Sequence, residues 1–506
     1  MHLHSTVLLL AFPVLQLACA SEYTDALQSG AGPQQGYQPT SAQPAYDFLK
    51  ASNASTFAEF GTVVQISADG NTLAVGAPGE SSKAAGVNGQ QTDESASRSG
   101  AVYVFARENG KWAQQAYLKA SNAQQNDRFG ASISLSADGS SLVVGAPNES
   151  SGFRDDQLDN SAEKSGAAYV FSRSNETWKQ RAYLKSPRAN AGLRFGATVS
   201  ISGDGRTVAA TAPCQTFTTA PMECEAMTSR FNPGAVYVFR QQDGVWEAED
   251  AELKSLFPQI GFAQGEQSLS LSDDGNLLLV SSKSMDASVG AAANGSHCAI
   301  AGAVWVFTRG PIGWGYDTQL IRRDTSVRCG IFGTAVGISS DGKRLAVVES
   351  QLFLDSGKSA YVHLYKRNDS TWAPEGLIEV GNRGDVAGRE FGSLAWSADG
   401  MTLAVGDTKW AERAEDLNDV TRGKQSTGGT VFVYTRGGLD WALKQTLHLG
   451  APEQDALFGR SLSLSADGSS IAVGAPHEAS RSKGAEAYES SAGGADKSGA
   501  SYVFAL

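Results

Sequence analysis

Phe129-Gly130-Ala131-Ser132-Ile133-Ser134-Leu135-Ser136 is followed by Asp138-Gly139 and then by Leu142-Val143-Val144-Gly145-Ala146-Pro147. After a polar loop come Gly166-Ala167-Ala168-Tyr169-Val170-Phe171 and a mixed run from Trp178 to Leu184. These phrases decide the architecture, because they recur in fixed order along the chain. The Asp-Gly pair is the cleanest ruler. It begins at Asp69, Asp138, Asp204, Asp274, Asp341, Asp399 and Asp467, a mean spacing of about 66 residues with no linker between copies. A repeat of this kind overrides the three domains of ~150 residues that a chain of this length would otherwise suggest.

Each phrase has the signature of a strand. Ser-x-Asp-Gly between two β-type runs is a hairpin signal, since Gly supplies the positive φ of a tight turn. The first run alternates, with Ile133 and Leu135 on one face and Ser134 and Ser136 on the other. The second is apolar on both faces, so it is covered on both. The third carries large aromatics, such as Tyr103 and Phe105 or Tyr237 and Phe239, and the fourth mixes Trp with Gln, Lys and Glu. Side-chain size grows along each unit, as a radial wedge requires. The expectation is an all-β chain, a seven-bladed β-propeller of four-stranded blades.

The ends of the chain point to closure. The last unit stops at Tyr502-Val503-Phe504 without a fourth strand, while Leu49-Lys50-Ala51-Ser52-Asn53-Ala54 repeats Leu118-Lys119-Ala120-Ser121-Asn122-Ala123 letter for letter. Both lie eleven residues before a Phe-Gly. The segment near Tyr46 to Ala51 is therefore expected beside Ser501 to Ala505, the N-terminal strand completing the last blade.

Phe60-Gly61, Phe129-Gly130, Phe195-Gly196, Phe332-Gly333, Phe391-Gly392 and Phe458-Gly459, with Ala77-Pro78, Ala146-Pro147, Ala212-Pro213 and Ala475-Pro476, carry a family resemblance. The chain resembles FG-GAP repeat proteins, whose units build the integrin alpha-chain propeller, and most nearly the short-turn repeats of bacterial exported proteins. The resemblance covers about residues 45–506. Blade 4 departs from it with Gly265-Glu266, and blades 5 and 6 with Val348-Glu349-Ser350 and Gly406-Asp407-Thr408. The resemblance implies Ca²⁺ in the turn between strands one and two, but a hard cation needs six to eight oxygens. Ser67-Ala68-Asp69-Gly70-Asn71 offers one carboxylate, and Asp273-Asp274 only two. These Asp residues are read as turn formers, and no metal or cofactor is expected.

Residues 1–20 read as a signal peptide. The apolar run from Ser5 to Ala18 is too short to span a bilayer, and Ala18-Cys19-Ala20 offers a cleavage site. Leu15-Gln16-Leu17-Ala18-Cys19 also resembles a lipoprotein signal, which would make Cys19 a lipidation site, although Gln16 departs from the pattern. Residues 21–44, rich in Ser, Gln, Gly, Pro and Ala, are a flexible linker, and 45–506 the propeller. The expected location is secreted or attached to the cell surface or outer membrane, with no transmembrane span in the mature chain. A net charge of −12 argues against nucleic acid as partner. A monomer is expected.

The long insertions, at 79–99, 148–165, 214–233, 283–301, 408–427 and 477–498, are nearly all connections between strands two and three, which with the 4–1 loops share one face. Loops gathered on a rigid ring make binding surfaces, and by resemblance integrin propellers meet their ligands there. Glu80, Glu149 and Glu478 recur just after the Pro, and Asp93 and Asp159 open a shared phrase ending in Ser-Gly. These five are ligand-face candidates, with loop stapling through hydrogen bonds as the competing role. Cys214 with Cys224, and Cys298 with Cys329, are expected as two disulfides. No nucleophile, phosphate-loop or metal motif is present, so no catalytic residue is assigned. Trp112, Trp178, Trp246, Trp314, Trp372 and Trp441, at matched sites, suit inter-blade packing better than a sugar-stacking array. The expected function is non-catalytic, adhesion-type binding of a protein or glycan ligand. The alternatives are a polysaccharide-acting propeller enzyme and an envelope scaffold.

Overall fold

The Ser-x-Asp-Gly turn is built by its own side chains. In blade 2, Ser136 Oγ donates to Asp138 Oδ1 at 2.6 Å, Ser140 N donates to the same oxygen at 2.9 Å, and Ser141 N donates to Ser136 Oγ at 2.9 Å. Gly139 takes φ +67 and closes the turn onto the Ser136 carbonyl. The same Ser-to-Asp bond forms at Asp69, Asp204, Asp274, Asp341, Asp399 and Asp467. Burial works against the charge of Asp69, Asp138, Asp274 and Asp341, but the turn's hydrogen bonds outweigh it and hold these carboxyls below the ordinary range. At Asp467 the Ser465 and Ser469 donors lower it with little burial to oppose them.

The computed structural model describes residues 44–153, 156–214, 234–253, 268–282, 302–321, 330–351, 360–369, 371–380, 391–408, 428–438, 440–449, 455–480 and 496–506. Every regular element among them is a strand. They form seven four-stranded antiparallel sheets. Blade 2 runs Ser132–Leu135, Ser141–Ala146, Ala167–Ser174 and Thr177–Leu184 from inside to outside. Blade 7 takes Ser461–Leu464, Ser470–Ala475 and Ala500–Ala505 from the C-terminal end, and Tyr46–Leu49 from the N-terminal one. Tyr46 lies opposite Phe504 and Leu49 opposite Ser501, so the borrowed outer strand sits where the repeated phrase placed it.

The seven inner strands pack side by side in a closed ring. An inner strand is a sheet edge, and its free N–H groups need partners. Small serines of the preceding blade supply them: Ile66 N donates to Ser463 Oγ at 3.0 Å, Ile201 N to Ser134 Oγ at 3.0 Å, and Leu271 N to Ser200 Oγ at 3.1 Å. This accounts for the serine-rich face of the first strand.

The two family marks meet at the seams between blades. Phe129 is buried against Tyr169 and Phe171 of its own blade, with ring centroids 5.4 and 6.0 Å away, while its N–H donates to Ser99 O of blade 1. The glycine of Gly-Ala-Pro is a close-approach position: a Cβ on Gly145 would fall 2.0 Å from Gly196 O of the next blade. The core therefore lies between blades, as where Val102 and Val104 of blade 1 pack with Ile133, Val144 and Phe171 of blade 2. At the rim, Trp178 Nε1 donates to Gln115 of the preceding blade at 3.0 Å, under the Arg173 guanidinium. Trp314 and Arg309 repeat this with Glu249 at 2.7 and 2.8 Å. The rim Trp of these blades is thus a seam feature.

Candidate functional site

Strand alternation places the 2–3 and 4–1 loops on one face. The loop of blade 1 is described throughout, that of blade 2 except residues 154 and 155, and that of blade 7 at its two ends. Each is held from beneath by a buried ion pair. Lys119 Nζ lies 2.8 Å from Glu80 Oε2, Lys185 Nζ 2.7 Å from Glu149 Oε2, and Lys50 Nζ 2.5 Å from Glu478 Oε2. Each lysine ends an outer strand and each glutamate begins the 2–3 loop of the same blade, so the pair ties the rim to the loop. The remaining protons of Lys119 go to Ser82 O at 2.9 Å and Ser99 Oγ at 2.6 Å. Glu80 Oε1 accepts from Ser82 N and Asn53 Nδ2, each at 3.0 Å. Burial pulls the Lys119 and Lys185 ammoniums down, and their glutamates pull back. Glu80, Glu149 and Glu478, read from sequence as ligand-face candidates, have their carboxylates turned into the blade at 1–2% exposure, fully hydrogen-bonded and out of a ligand's reach.

The phrase shared by two loops docks the next blade. Ser97, Arg98 and Ser99 offer their carbonyls to the N–H groups of Asn126, Arg128 and Phe129, and Glu163, Lys164 and Ser165 do so for Gly192, Arg194 and Phe195. Its opening aspartates shape the loop. Asp93 Oδ1 accepts from Ser95 N at 2.9 Å, and Asp159 Oδ2 from Gly152 N at 2.8 Å and Ser161 Oγ at 2.6 Å. These bonds hold both carboxyls below their ordinary range. Above this framework the crown of the blade 2 loop stays open, with Phe153 62% and Leu158 75% exposed.

Cys214 is buried at the end of the second strand of blade 3, and its sulfur is in a disulfide. Cys224, Cys298, Cys329 and Cys19 lie outside the described residues.

Blade 5 holds a group that the sequence reading passed over. Strand register makes His363 the counterpart of Tyr103, Tyr169, Tyr237, Trp305, Phe432 and Tyr502, and Glu349 the counterpart of Ala77, Ala146, Ala212, Ser282 and Ala475. The two departures meet: His363 Nε2 lies 2.8 Å from Glu349 Oε2, at 13% and 2% exposure. Blade 6 puts Asp407, also buried, at the position of Glu349. The signal was present as the loss of Gly-Ala-Pro in these two blades, but only strand register pairs it with the lone histidine. Among the described residues no group of three or more His, Cys, Asp and Glu side chains is placed to hold a metal ion. Among the described residues no helix is long and apolar enough to cross a membrane.

The family model for the FG-GAP repeat matches residues 112–171, from the blade 1 rim to the third strand of blade 2. The chain carries FG-GAP repeat sequence in a seven-bladed propeller. No curated protein matches it. Among solved structures it is similar to Kuenenia stuttgartiensis hydrazine synthase, at 13% identity over 87% of this chain and 96% of that one, with a TM-score of 0.44. It is similar to U3-55K at 11% identity over 93% and 100%, TM-score 0.48. It is also similar to the Pseudomonas aeruginosa periplasmic gluconolactonase PpgL, at 13% identity over 89% and 97%, TM-score 0.41. At such values these likenesses carry no argument about what this chain binds or does.

Proposed function

We propose that this propeller binds a protein or glycan ligand through its loop-bearing face. The observation that carries the reading is the contrast within one loop: its base is fixed by a buried Lys185–Glu149 pair, while its crown leaves Phe153 and Leu158 in water. Large apolar side chains left in solvent suit a recognition surface, because covering them on contact is favourable. Export through the 1–20 segment, attachment through Cys19, pairing of Cys214 with Cys224 and of Cys298 with Cys329, and a monomeric state belong to the same reading. Capture on a glycan array and on intact cells tests it. Replacing the exposed Phe153 and Leu158 by serine, which leaves the buried pair and the docking carbonyls in place, should abolish capture without moving the thermal midpoint. Capture that survives both substitutions would refute it.

A second reading, a propeller enzyme acting on polysaccharide, rests on His363. An imidazole oriented by a buried carboxylate is a general-base arrangement. Release of reducing sugar, lost in His363→Gln while ligand capture persists, would favour it over binding alone.

A further inference from the structure

Just before Phe60, Phe129, Phe195 and Phe458 the chain makes a turn in which the first and third residues have positive φ. In Asn126-Asp127-Arg128 these are +70 and +59, in Phe57-Ala58-Glu59 +62 and +56, in Gly192-Leu193-Arg194 +80 and +55, and in Asp455-Ala456-Leu457 +66 and +56. The turn is a latch between blades. Asn126 N donates to Ser97 O at 2.9 Å and Arg128 N to Arg98 O at 3.0 Å, and the 7/1 and 2/3 seams repeat both bonds. The middle residue is buried in all four copies and acts as the plug beneath the latch. In three copies it is Ala58, Leu193 or Ala456. In the 1/2 seam it is Asp127, a carboxylic acid at 4% exposure.

A lone carboxylate in an apolar plug position is costly unless its surroundings compensate. Gln124 N donates to Asp127 Oδ2 at 2.8 Å. The charged groups facing it are Glu149 from the blade 2 loop, Lys119 from the end of the blade 1 rim strand and Lys185 from the end of the blade 2 rim strand. Both lysines are already committed, one to Glu80 and one to Glu149. With Asp127 charged, the pocket would hold three carboxylates against two ammoniums.

We propose that Asp127 is a proton-operated plug: neutral, it fills the 1/2 seam as Ala58 and Leu193 fill theirs, and charged, it loosens the latch that holds the 79–99 loop to blade 2. Burial pushes its carboxyl up to about 7, with Glu149 adding to the shift and Gln124 and the two lysines opposing it. The sign follows from proton counting. The closed latch keeps its proton up to about pH 7, whereas the open one loses it near ~3.9. Closure therefore weakens as pH rises between these values, by up to about tenfold per unit, and levels off above. The other three plugs do not titrate. This holds whether or not the face binds a ligand.

Amide hydrogen exchange on the full chain from pH 5 to 8, corrected for the intrinsic rate, tests it. Protection at Asn126, Arg128 and Phe129 should fall at least tenfold relative to Glu59 and Phe60 and to Arg194 and Phe195. Asp127→Asn should remove that slope, and so should Asp127→Ala, which installs the residue found at two other seams. A 1/2 seam that follows the reference seams in the native chain, or a slope that persists in either variant, would overturn it.

Discussion

Replacing Lys119 by methionine keeps the length of the side chain and removes its charge. Lys119 is fully buried and gives its protons to Glu80 Oε2, Ser82 O and Ser99 Oγ at 2.8, 2.9 and 2.6 Å. In Lys119→Met the Glu80 carboxylate stays buried. Its Oε1 keeps Asn53 and Ser82, but its Oε2 loses the ammonium. Removing one partner of a buried pair costs about 3–5 kcal/mol. Adding Glu80→Leu removes the stranded charge and leaves two neutral donors without that acceptor, so the double variant should recover to within about 2 kcal/mol of the native chain. The assay is urea unfolding at pH 7 followed by tryptophan fluorescence, with all four corners of the cycle compared. A single variant within about 1 kcal/mol of native, or a double variant no better than the single, would refute the view that the loops are pegged by buried charge pairs.

Lys50→Met breaks the same pair in blade 7, where the lysine belongs to the borrowed strand. Amides 46–49 should then exchange at least tenfold faster while those of blade 2 hold, and unchanged exchange would contradict the staple's role. Gly100 has φ +84, and an added Cβ would lie 2.1 Å from Phe129 O, whereas Gly110 at φ +78 has open space. Thermal unfolding should show Gly100→Ala losing well over about 3 kcal/mol and Gly110→Ala about 1–2 kcal/mol. Asp69, Asp138, Asp274, Asp341 and Asp467 titrate below the free carboxyl, so they support the fold above about pH 4 and lose that support as pH falls through their lowered values. Asp138→Ala should cost about 1 kcal/mol at pH 7 in urea unfolding, a partly solvated hydrogen bond's worth, and less by pH 3.

The turns, the seams and the closure were legible because the same local chemistry is demanded seven times over. Gly139 must take positive φ and Asp138 must bind its neighbours' donors wherever the turn occurs, so both stay in phase. Loop stapling was one of the two roles read for Glu80, Glu149 and Glu478, but their lysine partners were not legible. The recurrence of the glutamates was plain, but Lys119 lies 39 residues beyond Glu80, and Lys50 428 residues before Glu478. Only the folded blade brings them together. Single-copy departures are the hardest to see in sequence. Asp127 looks like any loop aspartate until the φ pattern aligns it with Ala58 and Leu193, and His363 becomes unusual only against six aromatic residues in register.

The claim on which the ring depends is that Tyr46–Leu49 completes blade 7. The thermal midpoint of a chain lacking residues 1–50, measured with and without a synthetic peptide of residues 44–54, tests it most directly. A large fall that the added peptide reverses is predicted. A midpoint equal to that of the full chain, with no response to the peptide, would contradict it.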